Sequence, residues 1–354
     1  MRREEGDMLA VQLVGPGDVR LVRAPVPRAR PDEIVLRVLA AGLCQTDVHI
    51  CSAADSRTPD GTILGHEIAG TVHELGEGVI GWQAGDRVVV HPIWSCGTCS
   101  ECRAGRENTC RGTGSRLQVP HTAGITRDGG MAEYVAVPAR AVMRIPGGLD
   151  PAVAAVLTDA GMTPYHAIRT CADHLDRGAS VAIIGVGGLG NLAAQILRAT
   201  TQTKVAAVDL SEAALALTAP WVDCTFHSAG EGIAQDITLF SGGYGVDLVL
   251  DFVGSDETLA LGAAVVARGG ALRVIGLSGG TYQFVARTAN NPLPRGVSIT
   301  CPYGGTYEDL RAVIDLAGHG KIIPPVQKFG LAAALDAIAA LAAGKVRGRA
   351  VLLP

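Results

Sequence analysis

The sequence predicts an α/β protein of two parts, because two kinds of sequence meet near residue 150. In the first part, short segments rich in branched side chains, such as residues 34–39, 70–74 and 86–90, are separated by Gly, Pro and Asp. That pattern is typical of strands joined by turns. After Ser180, continuous apolar runs alternate with alanine-rich stretches. This alternation predicts a doubly wound parallel sheet, whose inner strands are buried on both faces.

Composition limits the class of protein. A length of 354 residues favours two domains, and 48% hydrophobic against 18% charged residues excludes a disordered chain. The net charge of -4 predicts no nucleic-acid partner, and no apolar run reaches the ~20 residues of a membrane span. The amino terminus lacks the apolar core of a signal peptide, and nine cysteines favour a reducing compartment. We therefore expect a cytoplasmic protein.

The second part and the tail supply the predicted elements of the parallel sheet. Apolar runs bounded by Gly or Asp lie at residues 181–185, 204–208, 246–251 and 271–275, and residues 297–301 are a further candidate at the sheet edge. Residues 145–151 resemble a linker in composition. From Tyr307 onward, two amphipathic helices are predicted, one on each side of residues 322–326.

A glycine-rich turn follows the first of these strands and opens a helix. Its six residues are Gly185-Val186-Gly187-Gly188-Leu189-Gly190. The first Gly of such a turn permits a tight bend, the second lets the backbone approach a pyrophosphate, and the third allows close packing of the helix. The phosphates then lie at the positive end of that helix. In this context the turn predicts a dinucleotide site.

The acidic residue that accompanies such a turn is also present. Asp209 ends the next predicted strand, 19 residues after Gly190. A carboxylate there hydrogen-bonds the hydroxyls of the adenosine ribose and repels a 2′-phosphate. We therefore predict NAD rather than NADP as the cofactor.

Four cysteines lie within fifteen residues, between the β-rich segments. They are Cys96, Cys99, Cys102 and Cys110, with two, two and seven residues between them. Short Cys-x2-Cys steps bring thiolates to one ion from adjacent turns of a loop, and a closed set of four thiolates is a structural zinc site. We expect a zinc lobe at about residues 94–112.

A second set of metal-competent side chains lies outside this lobe. Cys44, His66 and Asp159 offer a sulfur, a nitrogen and an oxygen donor, the three protein ligands that a catalytic zinc needs when one position stays open. Taken singly, each residue has a simpler interpretation. The Cys then packs in the core, the His is a satisfied polar residue and the Asp caps a helix.

Several motifs follow one another in a fixed order. They are Gly42-Leu-Cys44-x-Thr46-Asp47-x-His49, Gly65-His66-Glu67, the four lobe cysteines, Asp128-Gly-Gly-Met-Ala-Glu-Tyr134, Thr158-Asp-Ala-Gly-Met-Thr-Pro-Tyr165 and the glycine turn. This set resembles the motifs of the zinc-dependent medium-chain alcohol dehydrogenases, and its residues are most similar to those of the bacterial secondary-alcohol enzymes. The resemblance implies a GroES-like catalytic domain, residues 1–157 and 303–354, split by an inserted Rossmann domain, residues 158–302.

The resemblance also implies a role for individual residues. Cys44, His66 and Asp159 match the catalytic-zinc ligands, although many members have a second Cys where this chain has Asp159. Glu67 matches a conditional ligand or a partner that helps to exchange the zinc-bound water.

Further roles concern the proton and the cofactor. Thr46 and His49 match a hydroxyl and a terminal base that carry the alcohol proton outward. Thr163 matches a residue that packs on the nicotinamide, and Arg349 matches a pyrophosphate contact.

The expected activity is hydride transfer between NAD and an alcohol or ketone, most simply a secondary alcohol, with two zinc ions per subunit. Zinc would act as a Lewis acid on the substrate oxygen. A polyol or aromatic-alcohol dehydrogenase stays open as an alternative, and a non-catalytic nucleotide-binding protein is a remote one. The resemblance further implies a homodimer or homotetramer, for which residues 297–301 offer an unpaired strand edge.

Overall fold

The computed structural model of the chain describes residues 6–52, 58–283 and 293–354. The chain forms two compact units. The first contains Met1–Met162 and Thr306–Pro354, and the second contains Thr163–Gly305. The predicted arrangement, a β-rich domain split by an inserted parallel-sheet domain, is confirmed. Asp159, which the predicted boundaries assign to the inserted domain, lies in the first unit.

The strands in the described residues are numbered in chain order. They are β1 Asp7–Gly15, β2 Asp18–Pro25, β3 Glu33–Gly42, β4 Glu67–Leu75, β5 Arg87–Val90, β6 Tyr134–Pro138, β7 Val142–Arg144, β8 Ser180–Ile184, β9 Lys204–Asp209, β10 Cys224–His227, β11 Val246–Asp251, β12 Val266–Val274, β13 Ser298–Thr300, β14 Val326–Gly330 and β15 Arg349–Leu353.

The α-helices follow the same convention. They are α1 Gln45–Ser52, α2 Ser100–Arg103, α3 Pro151–Val156, α4 Met162–Arg169, α5 Gly188–Thr200, α6 Glu212–Thr218, α7 Ile233–Phe240, α8 Asp256–Val265, α9 Tyr307–Gly318 and α10 Ala334–Ala342. One turn of π-helix, Leu157–Gly161, joins α3 to α4. No helix among the described residues is both long and apolar enough to span a membrane.

The first unit is built on a seven-stranded mixed sheet. Its strands run in the order β14-β15-β3-β4-β5-β7, with β6 paired to β3. Strand β15 comes from the end of the chain and pairs antiparallel with β3, so the tail is part of this sheet. The side chains buried on it include Leu36, Ile68 and Leu352. This sheet fixes the end of β3 and the start of β4, where Cys44, His66 and Glu67 lie.

The second unit is a six-stranded parallel sheet in the order β10-β9-β8-β11-β12-β13. All five residues of β8 are buried, as expected of a strand covered on both faces. The sequence prediction missed one strand, β10. Its residues alternate between partly buried and exposed, so β10 lacks the continuous apolar run that indicated the other strands.

The supposed linker at residues 145–151 is in part a helix start. The side chain of Asp150 accepts a hydrogen bond from the amide of Ala152, and Pro151 is the first residue of α3. A capping carboxylate and an N-terminal proline are both strong start signals. They fix the beginning of α3, which leads directly into the π-helical turn that carries Asp159. Such turns are frequent at functional sites.

Candidate metal and dinucleotide sites

The four lobe cysteines converge on one point. Their Sγ atoms all lie within 4.8 Å of one another. The distance from Cys99 Sγ is 3.5 Å to Cys102 Sγ and 3.9 Å to Cys110 Sγ. A tetrahedron with Zn–S bonds of ~2.3 Å has edges of about 3.8 Å. The lobe geometry therefore fits a closed zinc site.

Backbone amides add to this fit. The sulfur of Cys96 accepts hydrogen bonds from the amides of Thr98 and Cys99, at 3.4 and 3.3 Å. The Thr98 amide and hydroxyl lower the pKa of the Cys96 thiol to about 5, whereas burial raises the pKa of Cys102 to about 12. These hydrogen bonds favour the thiolate form of Cys96, which is the form that binds a metal.

A second cluster in the same unit contains Cys44, His66, Glu67 and Asp159, hereafter the Asp159 cluster. One donor atom from each residue lies within 4.8 Å of the others. Asp159 Oδ2 is 3.4 Å from Cys44 Sγ and 3.5 Å from His66 Nε2. Zinc bonds of 2.0–2.3 Å give tetrahedral edges of about 3.3–3.8 Å. The spacing of these three donors therefore fits a zinc ion.

Three separate elements place these donors. Cys44 lies between the end of β3 and the start of α1, and His66 directly precedes β4. Because β3 and β4 pair antiparallel, with Gly42 opposite Glu67, the end of β3 and the start of β4 are neighbours. The π-helical turn brings Asp159, whose side chain is 18% exposed, to the same place. The pairing of β3 with β4, together with the π-helical turn, thus brings donors that are far apart in the sequence into one site.

Asp47 lies beside this cluster, although no role was predicted for it from the sequence. Its carboxylate is fully buried, with Oδ2 accepting the amide of Cys44 at 2.9 Å and Oδ1 lying 3.7 Å from His66 Nδ1. At 3.7 Å this is a contact between charges and not a hydrogen bond, and the carboxylate raises the pKa of His66. The signal was present, since Asp47 stands within the Thr46-Asp47-x-His49 motif.

Glu67 and Arg349 form a buried ion pair beside the cluster. A guanidinium nitrogen of Arg349 donates to Glu67 Oε1, and the two residues are 5% and 0% exposed. Glu67 Oε2 has no hydrogen-bond partner among the described residues. Burial raises the pKa of Glu67 to about 8 even though Arg349 lowers it. The guanidinium is thus engaged by Glu67, and its predicted contact with a pyrophosphate stays a prediction.

The electrostatics of the cluster favour a cation. Burial alone would lower the pKa of His66, but the carboxylates of Asp47 and Asp159 raise it well above its usual value. Buried atoms without a hydrogen-bond partner among the described residues include Asp47 Oδ1 and His66 Nδ1. Acidic groups outnumber basic ones here, and isolated buried charges are costly. A divalent ion bound by sulfur, nitrogen and oxygen donors offsets that charge.

Helix α1 carries the two residues predicted to move a proton. Thr46 Oγ1 lies 3.7 Å from Cys44 Sγ, and its residue is half-buried. His49 is three residues further along α1 and exposed. Residues three apart lie on the same face of a helix. Thr46 thus lies beside the Asp159 cluster and His49 at the surface, and the proton relay through them stays a prediction.

In the second unit, the three glycines of the turn have different surroundings. Gly185 has a φ of +82°, which side-chain-bearing residues rarely adopt, and a Cβ at Gly190 would lie 2.0 Å from the carbonyl oxygen of Gly185. A Cβ at Gly187 would meet nothing within 4 Å, and no side chain caps α5. The open helix start at Gly187, continued by Gly188 and Leu189, fits a pyrophosphate.

Asp209 is tied to this turn. Its Oδ2 accepts the amide of Val186 at 2.7 Å, and its Oδ1 accepts the amide of Ser211 at 2.8 Å. The carboxylate thus lies at the carboxyl end of β9 beside the glycine turn, where an adenosine ribose would reach it. Thr163, the second residue of α4, is buried in the same unit, and its contact with nicotinamide stays a prediction.

Comparisons with known proteins identify the family of this chain. Residues 30–147 match the alcohol dehydrogenase GroES-like domain, and residues 188–318 match the zinc-binding dehydrogenase domain. An NAD-dependent alcohol dehydrogenase from Sulfurisphaera tokodaii is 33% identical, and the alignment covers 98% of this chain and 100% of the relative. The chain belongs to the zinc-dependent medium-chain alcohol dehydrogenase family.

Solved structures of related enzymes have the same fold as this chain. The alcohol dehydrogenase of the archaeon Aeropyrum pernix has a TM-score of 0.89 at 32% identity, covering 98% of this chain and 100% of that one. Acetophenone reductase from Geotrichum candidum, solved in complex with NAD, has a TM-score of 0.86 at 29% identity, covering 100% and 99%. The predicted family and fold class are thereby confirmed.

Proposed function

We propose that this chain is an NAD-dependent zinc alcohol dehydrogenase that interconverts a secondary alcohol and its ketone. The observation that carries the proposal is the Asp159 cluster, in which a sulfur, a nitrogen and an oxygen donor have zinc-like spacing. Family membership and the named NAD-dependent relatives support zinc and NAD as the cofactors. The likeness to acetophenone reductase supports a ketone substrate, since reduction of acetophenone gives a secondary alcohol.

Each site residue has a definite task in this proposal. Cys44, His66 and Asp159 hold the catalytic zinc, and the four lobe cysteines hold the structural zinc. Zinc bound there would supply Lewis acidity to a substrate oxygen, and bound NAD would supply the hydride acceptor. Asp47 places a negative charge beside His66, and Arg349 holds one oxygen of Glu67, leaving the other within the cluster.

The proton takes a path along α1. The hydroxyl of Thr46, near Cys44 Sγ, accepts the substrate hydroxyl proton and releases its own toward His49. The exposed imidazole of His49 then passes that proton to solvent. The reverse path supplies the proton when a ketone is reduced.

The test is NAD-linked turnover by zinc-replete full-length protein, followed through the absorbance of reduced nicotinamide. Small secondary, small primary, aromatic and polyol substrates are compared, and zinc is counted by elemental analysis. We expect two zinc ions per chain and the highest kcat/KM with a secondary alcohol. A preference for polyols or aromatic primary alcohols would replace the substrate class. No turnover by protein that binds NAD and zinc would favour the non-catalytic alternative.

Asp209 is tested by cofactor preference. A carboxylate at the ribose repels the 2′-phosphate of NADP, so kcat/KM with NAD is expected to exceed that with NADP by more than about tenfold. In Asp209→Ser that ratio is expected to fall toward one. An equal or better kcat/KM of the unchanged protein with NADP would contradict the role of Asp209.

The assembly state and location belong to the same proposal. Strand β13 is exposed along its three residues and ends the parallel sheet, which supports a homodimer or homotetramer formed by strand pairing. Light scattering coupled to size exclusion measures the mass of the assembly directly, and a monomer would contradict the proposed assembly.

The cysteines bear on the location of the protein. All nine are free thiols, and eight of them are buried or partly buried. Free thiols support a reducing cytoplasm.

A further inference from the structure

A buried carboxylate ends the strand next to the glycine turn. Asp251 is the last residue of β11, and its register partner on β8 is Ile184, directly before Gly185. In the strand order β10-β9-β8-β11-β12-β13, the chain turns back between β8 and β11. Ligands of doubly wound sheets bind outside the carboxyl ends of the strands at this reversal. Asp251 thus lies at the cofactor edge of the sheet.

The carboxylate of Asp251 has unusual surroundings. It is 0% exposed, and its Oδ1 accepts the amides of Val253 and Gly254, both at 2.9 Å. Its Oδ2 has no hydrogen-bond partner among the described residues. A buried carboxylate oxygen without a partner is destabilising and needs an explanation. By accepting both amides, Oδ1 holds the turn at residues 252–254 in place.

That turn packs directly on the glycine turn. A Cβ built on Gly185 would lie 2.6 Å from Val253 Cγ2, so the Val253 side chain occupies the space beside Gly185. The amide of Phe252 also donates to the carbonyl of Ile184 at 2.8 Å. On its other side, Val253 is confined by Gly276, where a Cβ would lie 2.1 Å from the Val253 carbonyl carbon. A displaced residue 253 therefore has little room to move except into the Gly185 turn.

We propose that Asp251 is a positioning residue for the dinucleotide site, acting through Val253 on the Gly185 turn. The carboxylate fixes two amides of the 252–254 turn, Val253 then sets the position of Gly185, and Gly185 sets the start of α5 that receives the pyrophosphate. This inference rests on the proposed use of NAD. Asp251 thus shapes the binding site through other residues and does not itself contact the ligand.

The experiment compares variants at the two ends of β11. Asp251→Ala removes the acceptor of two amides, and Asp251→Asn keeps one acceptor oxygen in the same place. The control is Asp247→Ala at the opposite end of the strand, where the carboxylate accepts the amide and hydroxyl of Ser180 at 2.8 and 3.1 Å. For each full-length protein, NADH affinity is measured by fluorescence titration and stability by thermal unfolding.

We expect the NADH Kd to rise about tenfold in Asp251→Ala and to stay within about threefold of the unchanged protein in Asp251→Asn. Asp247→Ala should lower the melting temperature by a similar amount yet keep its NADH affinity. Unchanged affinity in Asp251→Ala would overturn the proposal. So would an equal loss in the Asp247 control, because the effect would then be general destabilisation.

A second variant tests the path through Val253. Val253→Ala should weaken NADH binding severalfold with Asp251 intact. The double variant should bind NADH no more weakly than Asp251→Ala, because the effects of two residues that act one through the other do not add. Should Asp251→Ala fail to fold, wild-type affinity in Val253→Ala overturns the inference. If the unchanged protein itself binds no NADH, the proposed function fails instead, which separates the two failures.

Discussion

The four-cysteine lobe and the Asp159 cluster hold similar donor atoms but are built from very different lengths of chain. The lobe takes all its donors from residues 96–110, whereas the Asp159 cluster takes Cys44, His66 and Asp159 from three separate elements. The lobe offers four sulfurs, which close the coordination of zinc. The cluster offers one sulfur, one nitrogen and carboxylate oxygens, and it is surrounded by buried charges.

This difference separates stability from chemistry. A closed set of thiolates leaves no position for a substrate, so lobe zinc contributes to folding. The Asp159 cluster depends on a layer of support behind its donors, namely Asp47 behind His66 and Arg349 behind Glu67. Changes in the lobe should therefore act on unfolding, and changes in the cluster should act on turnover.

The largest expected effect is the loss of turnover in Asp159→Ala. Removal of one donor should release the catalytic zinc and lower kcat by at least about a thousandfold, because Lewis-acid stabilisation of the substrate oxygen is worth several kcal/mol. Zinc content should fall from two to one per chain with the melting temperature nearly unchanged. Elemental analysis and steady-state kinetics measure both quantities.

Asp159→Cys is the matched control, because a thiolate is also a zinc donor. It should keep two zinc ions and lose less than about tenfold in kcat. Wild-type turnover in Asp159→Ala would remove Asp159 from the ligand set.

Asp47→Asn should have the next largest effect. The change removes a buried negative charge that lies 3.7 Å from His66 Nδ1 and favours a cation at this site, so the zinc Kd of this site should rise about 10–100-fold. Competition with a chelator measures the affinity of each site. The lobe zinc of the same protein is the internal control, and an equal weakening of both sites would show that Asp47 acts on the fold alone.

In the lobe, Cys99→Ser should lower stability by about 3 kcal/mol, or roughly 6–12 °C in melting temperature, through loss of the structural zinc. Thermal unfolding with and without added zinc measures this shift. The catalytic site should keep its metal in the fraction that remains folded. An unchanged melting temperature would show that the lobe is not the structural site.

The smallest effect is expected for His49→Ala, which removes only the exposed end of the proton path. We expect kcat to fall by about tenfold or less near pH 7, since solvent can still reach Thr46 slowly. Added imidazole should restore part of the rate in His49→Ala but not in Thr46→Val, which interrupts the path beside Cys44. No difference in kcat between His49→Ala and the unchanged protein would exclude the relay.

Much of the fold was predictable because its signals are local. Strands β8, β9 and β11 were expected from continuous apolar runs, and the start of α5 was expected from its glycines. Strand β10 was missed because its alternating, partly polar residues at a sheet edge give no such run. The Asp150 cap was missed because its residues have the composition of a linker.

For the sites, the sequence by itself determined the lobe and the glycine turn, because each is built from neighbouring residues whose spacing is its geometry. Only the tertiary structure decided that Asp47 lies behind His66, that Arg349 pairs with Glu67 and that Asp251 holds the turn beside Gly185. The Glu67–Arg349 pair alone joins residues 282 positions apart, which the pairing of β15 with β3 and of β3 with β4 brings together. Spacing along the sequence carries no information about such distances, because the sheet register sets them.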